Sequence, residues 1–329
     1  MNRDTAPAFP HDCELIIHFA HPTYRLAEAL AARQTGIAHF QTWSREETER
    51  RLGEADVLVL SGYWRNDWME QLGRLRFIQT CSAGYDHFDT AALAGRGIRL
   101  ANASGVNVDA VSEHAMAMVL AFTRLMHQAR DNQARAHWRG MISEIGRRED
   151  ELRGKTMLII GMGQIGSRLA QLARAFGVTV IAIKRNLATG GQVADELHGM
   201  ATLPELLPRA DIVVLTCPLT AETRGIIDAV ALSRMRRGAY LINVARGACV
   251  VEPALIEALE SGRIAGAGLD VTDPEPLPAS SALWMLPNVI ITPHTAGETR
   301  RYEENVIGIL IENLGRLRSG KQELRNQII

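Results

Sequence analysis

The chain has no cysteine pair at metal-ligand or redox spacing. Cys13, Cys81, Cys217 and Cys249 lie far apart without a CxxC motif, so neither a zinc site nor a disulfide framework is indicated. Buried free thiols in a reducing compartment are expected. Charge of one sign is also missing: 36 Lys and Arg against 37 Asp and Glu leave a net charge of -1. That balance offers no basic stripe to nucleic acid, and Arg147-Arg148 and Arg236-Arg237 read as solvated helix faces. No apolar run reaches the ~20 residues of a membrane span. The polar start from Met1 to Asp12 lacks the charged beginning and apolar core of an export signal. A cytoplasmic protein with neither a nucleic-acid nor a membrane partner is expected.

The 329 residues, 47% of them hydrophobic, suffice for two domains with full cores. From residue 14 to residue 100, short apolar runs at Leu15-Ile16-Ile17, Ile37 to Phe40, Val57 to Leu60, Phe77 to Gln79 and Ile98 to Leu100 alternate with helical patterns. Such alternation predicts a parallel sheet covered on both faces. The segment Ser61 to Trp68 is unusually aromatic and could cap a ligand pocket or seal the domain edge. A long helical pattern over Val108 to Arg130 reads as a crossover between domains. The polar stretch Gln133 to Glu151 carries Trp138, Met141 and Ile145 as isolated apolar points, which would pack on a second subunit or fold back on their own domain.

The second half is arranged around one turn. Met157-Leu158-Ile159-Ile160 breaks into Gly161-Met162-Gly163-Gln164-Ile165-Gly166 and then into a helical pattern. In a dinucleotide-binding turn, Gly161 permits the tight bend, Gly163 lets backbone approach a pyrophosphate, and Gly166 allows close helix packing. The helix that follows would offer its unpaired N–H groups to the phosphates. Further strands are expected at Val178 to Ile183, Asp211 to Thr216, Ala239 to Val244, Ala267 to Val271 and Val289 to Ile291, six in all, as in a doubly wound sheet. The last helical pattern, Thr299 to Arg318, has no strand left to serve there and could return to the first domain.

Three successive strand ends deliver Ala245-Arg246-Gly247, then Asp270 with Asp273-Pro274-Glu275-Pro276, then Thr292-Pro293-His294. Taken singly, each is an ordinary loop residue. Arginine, carboxylate and histidine converging beside a nicotinamide site are better read together as a catalytic set.

These residues resemble the D-isomer-specific 2-hydroxyacid dehydrogenases. The resemblance runs through Ser82-Ala83-Gly84-Tyr85-Asp86, Glu113-His114, Gly161 to Gly166, Cys217-Pro218-Leu219-Thr220, Asn243 to Gly247, Gly268-Leu269-Asp270-Val271, Glu275-Pro276, Pro287-Asn288-Val289 and Thr292-Pro293-His294. It implies two doubly wound α/β domains. A Rossmann cofactor domain (104–296) would be inserted in a discontinuous flavodoxin-like substrate domain (1–103 and 297–329), in a chain that forms a homodimer.

The resemblance further implies hydride transfer between NAD(P)H and a small 2-oxo acid of the glyoxylate or hydroxypyruvate class, with no metal. His294 would be the proton donor and Glu275 its partner, while Arg246 would bind the substrate carboxylate and polarise the keto oxygen. Backbone N–H groups of Ala83 and Gly84 would hold the carboxylate as well. Gly161, Gly163, Gln164, Ile165, Gly166, Cys217, Pro218, Val244, Ala245, Asp270, His294 and Gly297 would contact the cofactor.

The family's usual acid at the end of the second strand is replaced here by Lys184-Arg185-Asn186, which favours NADP over NAD, with Thr189-Gly190-Gly191 continuing around the adenosine end. Two other functions remain open at this stage. One is a non-catalytic dinucleotide sensor or corepressor, against which Arg246, Glu275 and His294 together argue. The other is a formate- or phosphite-type dehydrogenase, of which the formate branch carries glutamine where Glu275 stands.

Overall fold

The short apolar runs of the first half assemble into one parallel sheet. A computed structural model describes residues 9–11, 13–85, 87–187 and 193–329; Asp86 and Thr189-Gly190-Gly191 lie outside them. The chain forms two compact units, residues 1–107 with 299–329, and 108–298.

In the first unit β1 (Ile16–Ala20), β2 (Ala38–Thr42), β3 (Val57–Leu60), β4 (Phe77–Thr80) and β5 (Arg99–Ala101) pair in the order β2-β1-β3-β4-β5. All pairings are parallel. Because side chains alternate along a strand, Ile17, Phe19, Val57 and Val59 enter one core while Ala20, Leu58 and Leu60 enter the other. The terminal helix Tyr302–Arg318 packs Val306, Leu310 and Leu314 into the first of these cores, so the chain end does return to this unit. Ser44, Asp89 and Asp228 accept hydrogen bonds from the first-turn N–H groups of Glu47, Ala92 and Ala231 and so start three helices across the two units.

The aromatic segment seals its own domain. Trp64 and Trp68 are buried with Leu58, Leu60 and Ile78, and Trp64 stacks on Phe88 at 5.0 Å. The 3-10 helix Asn66–Gln71 begins within this segment.

The second unit holds β6 (Thr156–Ile160), β7 (Thr179–Ile183), β8 (Glu196–His198), β9 (Ile212–Leu215), β10 (Tyr240–Asn243), β11 (Gly266–Leu269) and β12 (Val289–Ile291). Their order is β12-β11-β10-β9-β6-β7-β8, parallel throughout. The order in which successive strands are added therefore reverses between β6 and β9, the switch point at which doubly wound sheets bind ligands. Seven strands stand where six were expected. The extra one, β8, is a three-residue edge strand whose Glu196 and His198 pair with each other and whose Glu196 also binds Arg209. It has no apolar run to announce it.

The long helix expected over Val108 to Arg130 is two helices, Val108–Thr123 and Met126–Ala134. Leu125 stands at φ +52° between them, in the left-handed region, without the glycine that usually marks such a stop. The first helix covers the sheet of the second unit with Val111, Ala115, Met118, Val119 and Phe122. Beyond the second helix, Trp138, Met141 and Ile145 are 97%, 102% and 79% exposed, so they are not folded back on their own unit. An open groove of about 850 Å³ runs beside them, lined by Met126, Ala129, Trp138 and Met141. No helix among the described residues is long and apolar enough to cross a membrane.

Candidate active site

The turn after β6 gives its three glycines three different duties. Gly161 takes φ +112°, and a Cβ there would lie 2.5 Å from the Cys217 nitrogen at the end of β9. A Cβ on Gly166 would lie 2.3 Å from the Gly161 carbonyl oxygen, so only glycine lets the helix Gln164–Ala175 close on the turn. Gly163, the N-cap, has nothing within 4 Å of where its Cβ would be. The chain thus leaves open space at Gly163, the glycine expected to let backbone approach a phosphate, and packs tightly at the other two. Gln164 is exposed and Ile165 half-buried at the head of the helix, whose first N–H groups are capped by no side chain.

The residues around this turn close its rim. The Thr216 hydroxyl donates to the Gly161 carbonyl at 2.7 Å, and the Thr223 hydroxyl donates to the Pro218 carbonyl at 2.7 Å. Cys217 and Cys249, though 32 positions apart in sequence, share a side-chain hydrogen bond behind the rim. That bond and burial push the Cys217 thiol up, while donation from Cys217 draws Cys249 down. Cys13 is exposed, contrary to the expectation of four buried thiols. At the end of β7, Lys184 is half-buried and its N–H donates to the His198 carbonyl on β8. Arg185 beside it is exposed.

Arg246 is carried by a loop that buried Asn243 shapes from the end of β10. The Asn243 side chain accepts from the Ala245 N–H and donates to the Arg246 carbonyl, both at 3.0 Å. Val244 and Ala245 are buried and Arg246 is exposed, its Nη1 donating to the Ala245 carbonyl. A Cβ on Gly247 would lie 1.9 Å from the Thr272 carbonyl oxygen, so this loop presses directly on the one that carries Glu275.

His294 and Glu275 meet at 2.8 Å through Nδ1 and Oε2, with side chains 49% and 39% exposed. Glu275 is steadied at Oε1 by the Thr272 N–H at 3.2 Å. His294 stands at φ +56° and is held there by its N–H donating to the Asp270 carbonyl at 2.8 Å. Asp270 is 3% exposed, and its carboxylate accepts from the Thr292 hydroxyl at 2.6 Å and from the N–H groups of Thr295 and Ala296. The residue expected to touch cofactor thus also builds the histidine loop, which runs on to half-buried Gly297. A hollow of about 350 Å³ beside the pair is walled by Pro276, Leu277, Trp284, Ile291 and Pro293.

In the other unit, the loop after β4 has its carbonyls tied inward. Cys81 accepts from the Tyr302 hydroxyl at 2.5 Å, Ser82 from the Ala103 N–H at 3.0 Å, Ala83 from Asn102 at 2.7 Å and Gly84 from the Ser82 hydroxyl at 3.2 Å.

Sequence reasoning had not assigned roles to Asn243, Gly247 and Thr292. An asparagine closing an apolar strand run, as in Tyr240-Leu241-Ile242-Asn243, was the available signal for the first. The contact of Gly247 with Thr272 and that of Thr292 with Asp270 each depend on two loops meeting and have no local signature.

A family profile described as "D-isomer specific 2-hydroxyacid dehydrogenase, NAD binding domain" matches residues 116–296. A glyoxylate/hydroxypyruvate reductase B from Citrobacter koseri is 37% identical over 303 residues, 91% of this chain and 92% of that protein. A glyoxylate reductase from Aeropyrum pernix is 36% identical over 279 residues, 82% of this chain and 81% of that one. Among solved structures, the TT0316 protein of Thermus thermophilus superposes with a TM-score of 0.81 at 33% identity, over 96% of this chain and 100% of that one. An acyclic imino acid reductase solved with NADPH and D-Arg gives 0.81 at 28% identity, over 96% and 100%.

Proposed function

The chain belongs to the D-isomer-specific 2-hydroxyacid dehydrogenase family and is a nicotinamide-dinucleotide-dependent dehydrogenase, and from that premise we propose that it reduces a 2-oxo acid of the glyoxylate or hydroxypyruvate class with His294 as the proton donor. The observation that carries the reading is the 2.8 Å bond between His294 Nδ1 and Glu275 Oε2 on the rim that also bears the glycine turn.

A carboxylate only accepts hydrogen bonds, so the Nδ1 proton of His294 points at Glu275. Nε2 is then the atom free to serve the substrate. In the imidazolium form it carries the proton that the carbonyl oxygen needs, and Glu275 offsets the charge until the proton leaves. Bound cofactor supplies the hydride to the carbonyl carbon. Arg246 presents a planar fork of donors suited to a carboxylate, and its attraction for the keto oxygen grows as negative charge develops there. The N–H groups of Ala83 and Gly84 are proposed as further carboxylate donors.

The residues present fit the cofactor: Gly163 leaves the space a pyrophosphate requires and the helix Gln164–Ala175 presents its N-terminus to it. Gln164, Ile165, Cys217, Pro218, Val244, Ala245, Asp270 and Gly297 complete the proposed contacts. Lys184 and Arg185, at the strand end where an acid would repel a 2′-phosphate, support NADP as the preferred form. The exposed Trp138, Met141 and Ile145 support a homodimer. The expectation of a cytoplasmic enzyme stays within this reading. Initial rates over a panel of 2-oxo acids with NADPH and NADH test it: glyoxylate or hydroxypyruvate with NADPH is expected to give the highest kcat/KM, and no turnover of any 2-oxo acid would refute it.

A further inference from the structure

His114 lies on the helix Val108–Thr123, 178 positions before Thr292 in the chain, and its Nε2 sits 3.0 Å from the Thr292 hydroxyl oxygen and 3.7 Å from Asp270 Oδ1. The direction of each bond follows from the donors available. Thr292 has one hydroxyl proton, and at 2.6 Å it goes to Asp270, which can only accept. The Thr292 oxygen therefore receives, and His114 must be the donor, with its proton on Nε2. The result is a directed chain from His114 to Thr292 to Asp270. Asp270 in turn accepts from the N–H groups of Thr295 and Ala296, and its carbonyl accepts from the His294 N–H at 2.8 Å. Asp270 is almost wholly enclosed, 2% exposed at the side chain, and His114 is 24% exposed. Buried carboxylates need their partners in place, because an unmade bond there is not replaced by water.

We infer that His114 is a positioning residue for the proposed reduction: by donating through Nε2 to Thr292 it fixes the orientation of Asp270, and with it the strained backbone at which His294 faces Glu275. The inference rests on the catalytic reading of His294, but it adds a residue on a different element, covering the sheet, to the machinery that aims the acid.

The test compares His114→Leu, which keeps bulk without a donor, with His114→Gln, which keeps an N–H at similar reach. In His114→Leu, kcat for 2-oxo acid reduction is expected to fall about tenfold, the value of roughly one hydrogen bond to a charged network. The KM for NADPH should rise by a smaller factor than kcat falls, since Asp270 is one of several proposed cofactor contacts. His114→Gln should recover kcat to within about threefold of wild type. The double variant His114→Leu/Thr292→Val should be no slower than the slower single variant, because both break one chain.

A second readout needs no turnover: the ring 1H–13C resonance of His294, identified by its loss in His294→Ala, is expected to move in His114→Leu and to stay in His114→Gln. Wild-type kcat in His114→Leu, or equal losses in the Leu and Gln variants with native circular dichroism, would overturn the inference. An enzyme inactive on every 2-oxo acid would overturn the function proposed above, and the His294 resonance would then decide the positioning role alone, an unmoved signal in His114→Leu refuting it.

Discussion

Gly247→Ala perturbs the site without touching a proposed reacting group. The new Cβ would lie 1.9 Å from the Thr272 oxygen, 2.0 Å from its carbonyl carbon and 2.6 Å from the Asp273 nitrogen, all backbone atoms that no side-chain rotation can clear. Ordinary contact starts at 3.4 Å, so the two loops must part by about 1.5 Å. One loop carries Arg246 and the other carries Glu275, whose Oε1 is itself tied to the Thr272 N–H. A displacement of ~1 Å between groups that must act together costs about 100-fold in rate, or about 2.7 kcal/mol in barrier height. Val244, Ala245 and Asp270 flank the displaced loops while the glycine turn is a separate piece of backbone, so NADPH affinity is expected to fall by less than kcat does. Steady-state kcat with a 2-oxo acid, alongside a fluorescence titration of NADPH, separates the two effects. A kcat within threefold of wild type would refute the claim that this contact sets the distance between arginine and glutamate.

Substituting Lys184 and Arg185 together by neutral residues should raise the KM for NADPH roughly tenfold or more, since a bond to a charged group contributes about 1.5 to 3 kcal/mol, and should leave that for NADH nearly unchanged; equal changes for both cofactors would discard the 2′-phosphate assignment. His18 is fully buried, and burial, with Arg51 nearby, lowers its pKa to about 4 from 6.5, so the folded state resists taking the proton that the unfolded chain accepts. The stability this neutral histidine permits is complete above pH 6.5 and about 3 kcal/mol of it is lost by pH 4 and below. Urea unfolding of wild type and His18→Gln at several pH values should show a steeper acid loss in wild type, and parallel curves would count against it. Trp138→Asp should lower the sedimentation coefficient from dimer to monomer if the exposed arm is the self-association surface; an unchanged dimer would place that surface elsewhere.

Local periodicity was enough for most strands because parallel strands buried on both faces must be continuous apolar runs, as in Val57 to Leu60, whose four residues are all buried. Where burial did not drive the segment, the pattern was silent. The edge strand Glu196–His198 is only half-buried and is secured by pairing with Ile181 to Ile183 on a single side. The stop at Leu125 is a left-handed residue with no glycine to signal it. At the site, the glycine turn was readable because each glycine answers a steric demand within a few residues or at the adjoining strand end. His294, Glu275 and Arg246 were readable because each follows a strand whose carboxyl end faces the same rim. The supporting bonds were not: Gly247 against Thr272 and His114 against Thr292 join segments 25 and 178 positions apart, and nothing local encodes either contact.

The central claim is that His294 delivers the proton, and the most direct measurement is NADPH oxidation by His294→Ala with a 2-oxo acid that wild type reduces. Loss of a positioned general acid is worth ~100-fold to 10,000-fold, so kcat should fall by that factor while NADPH affinity, measured by titration, stays within about threefold. A His294→Ala enzyme that turns over at near the wild-type rate would contradict the account.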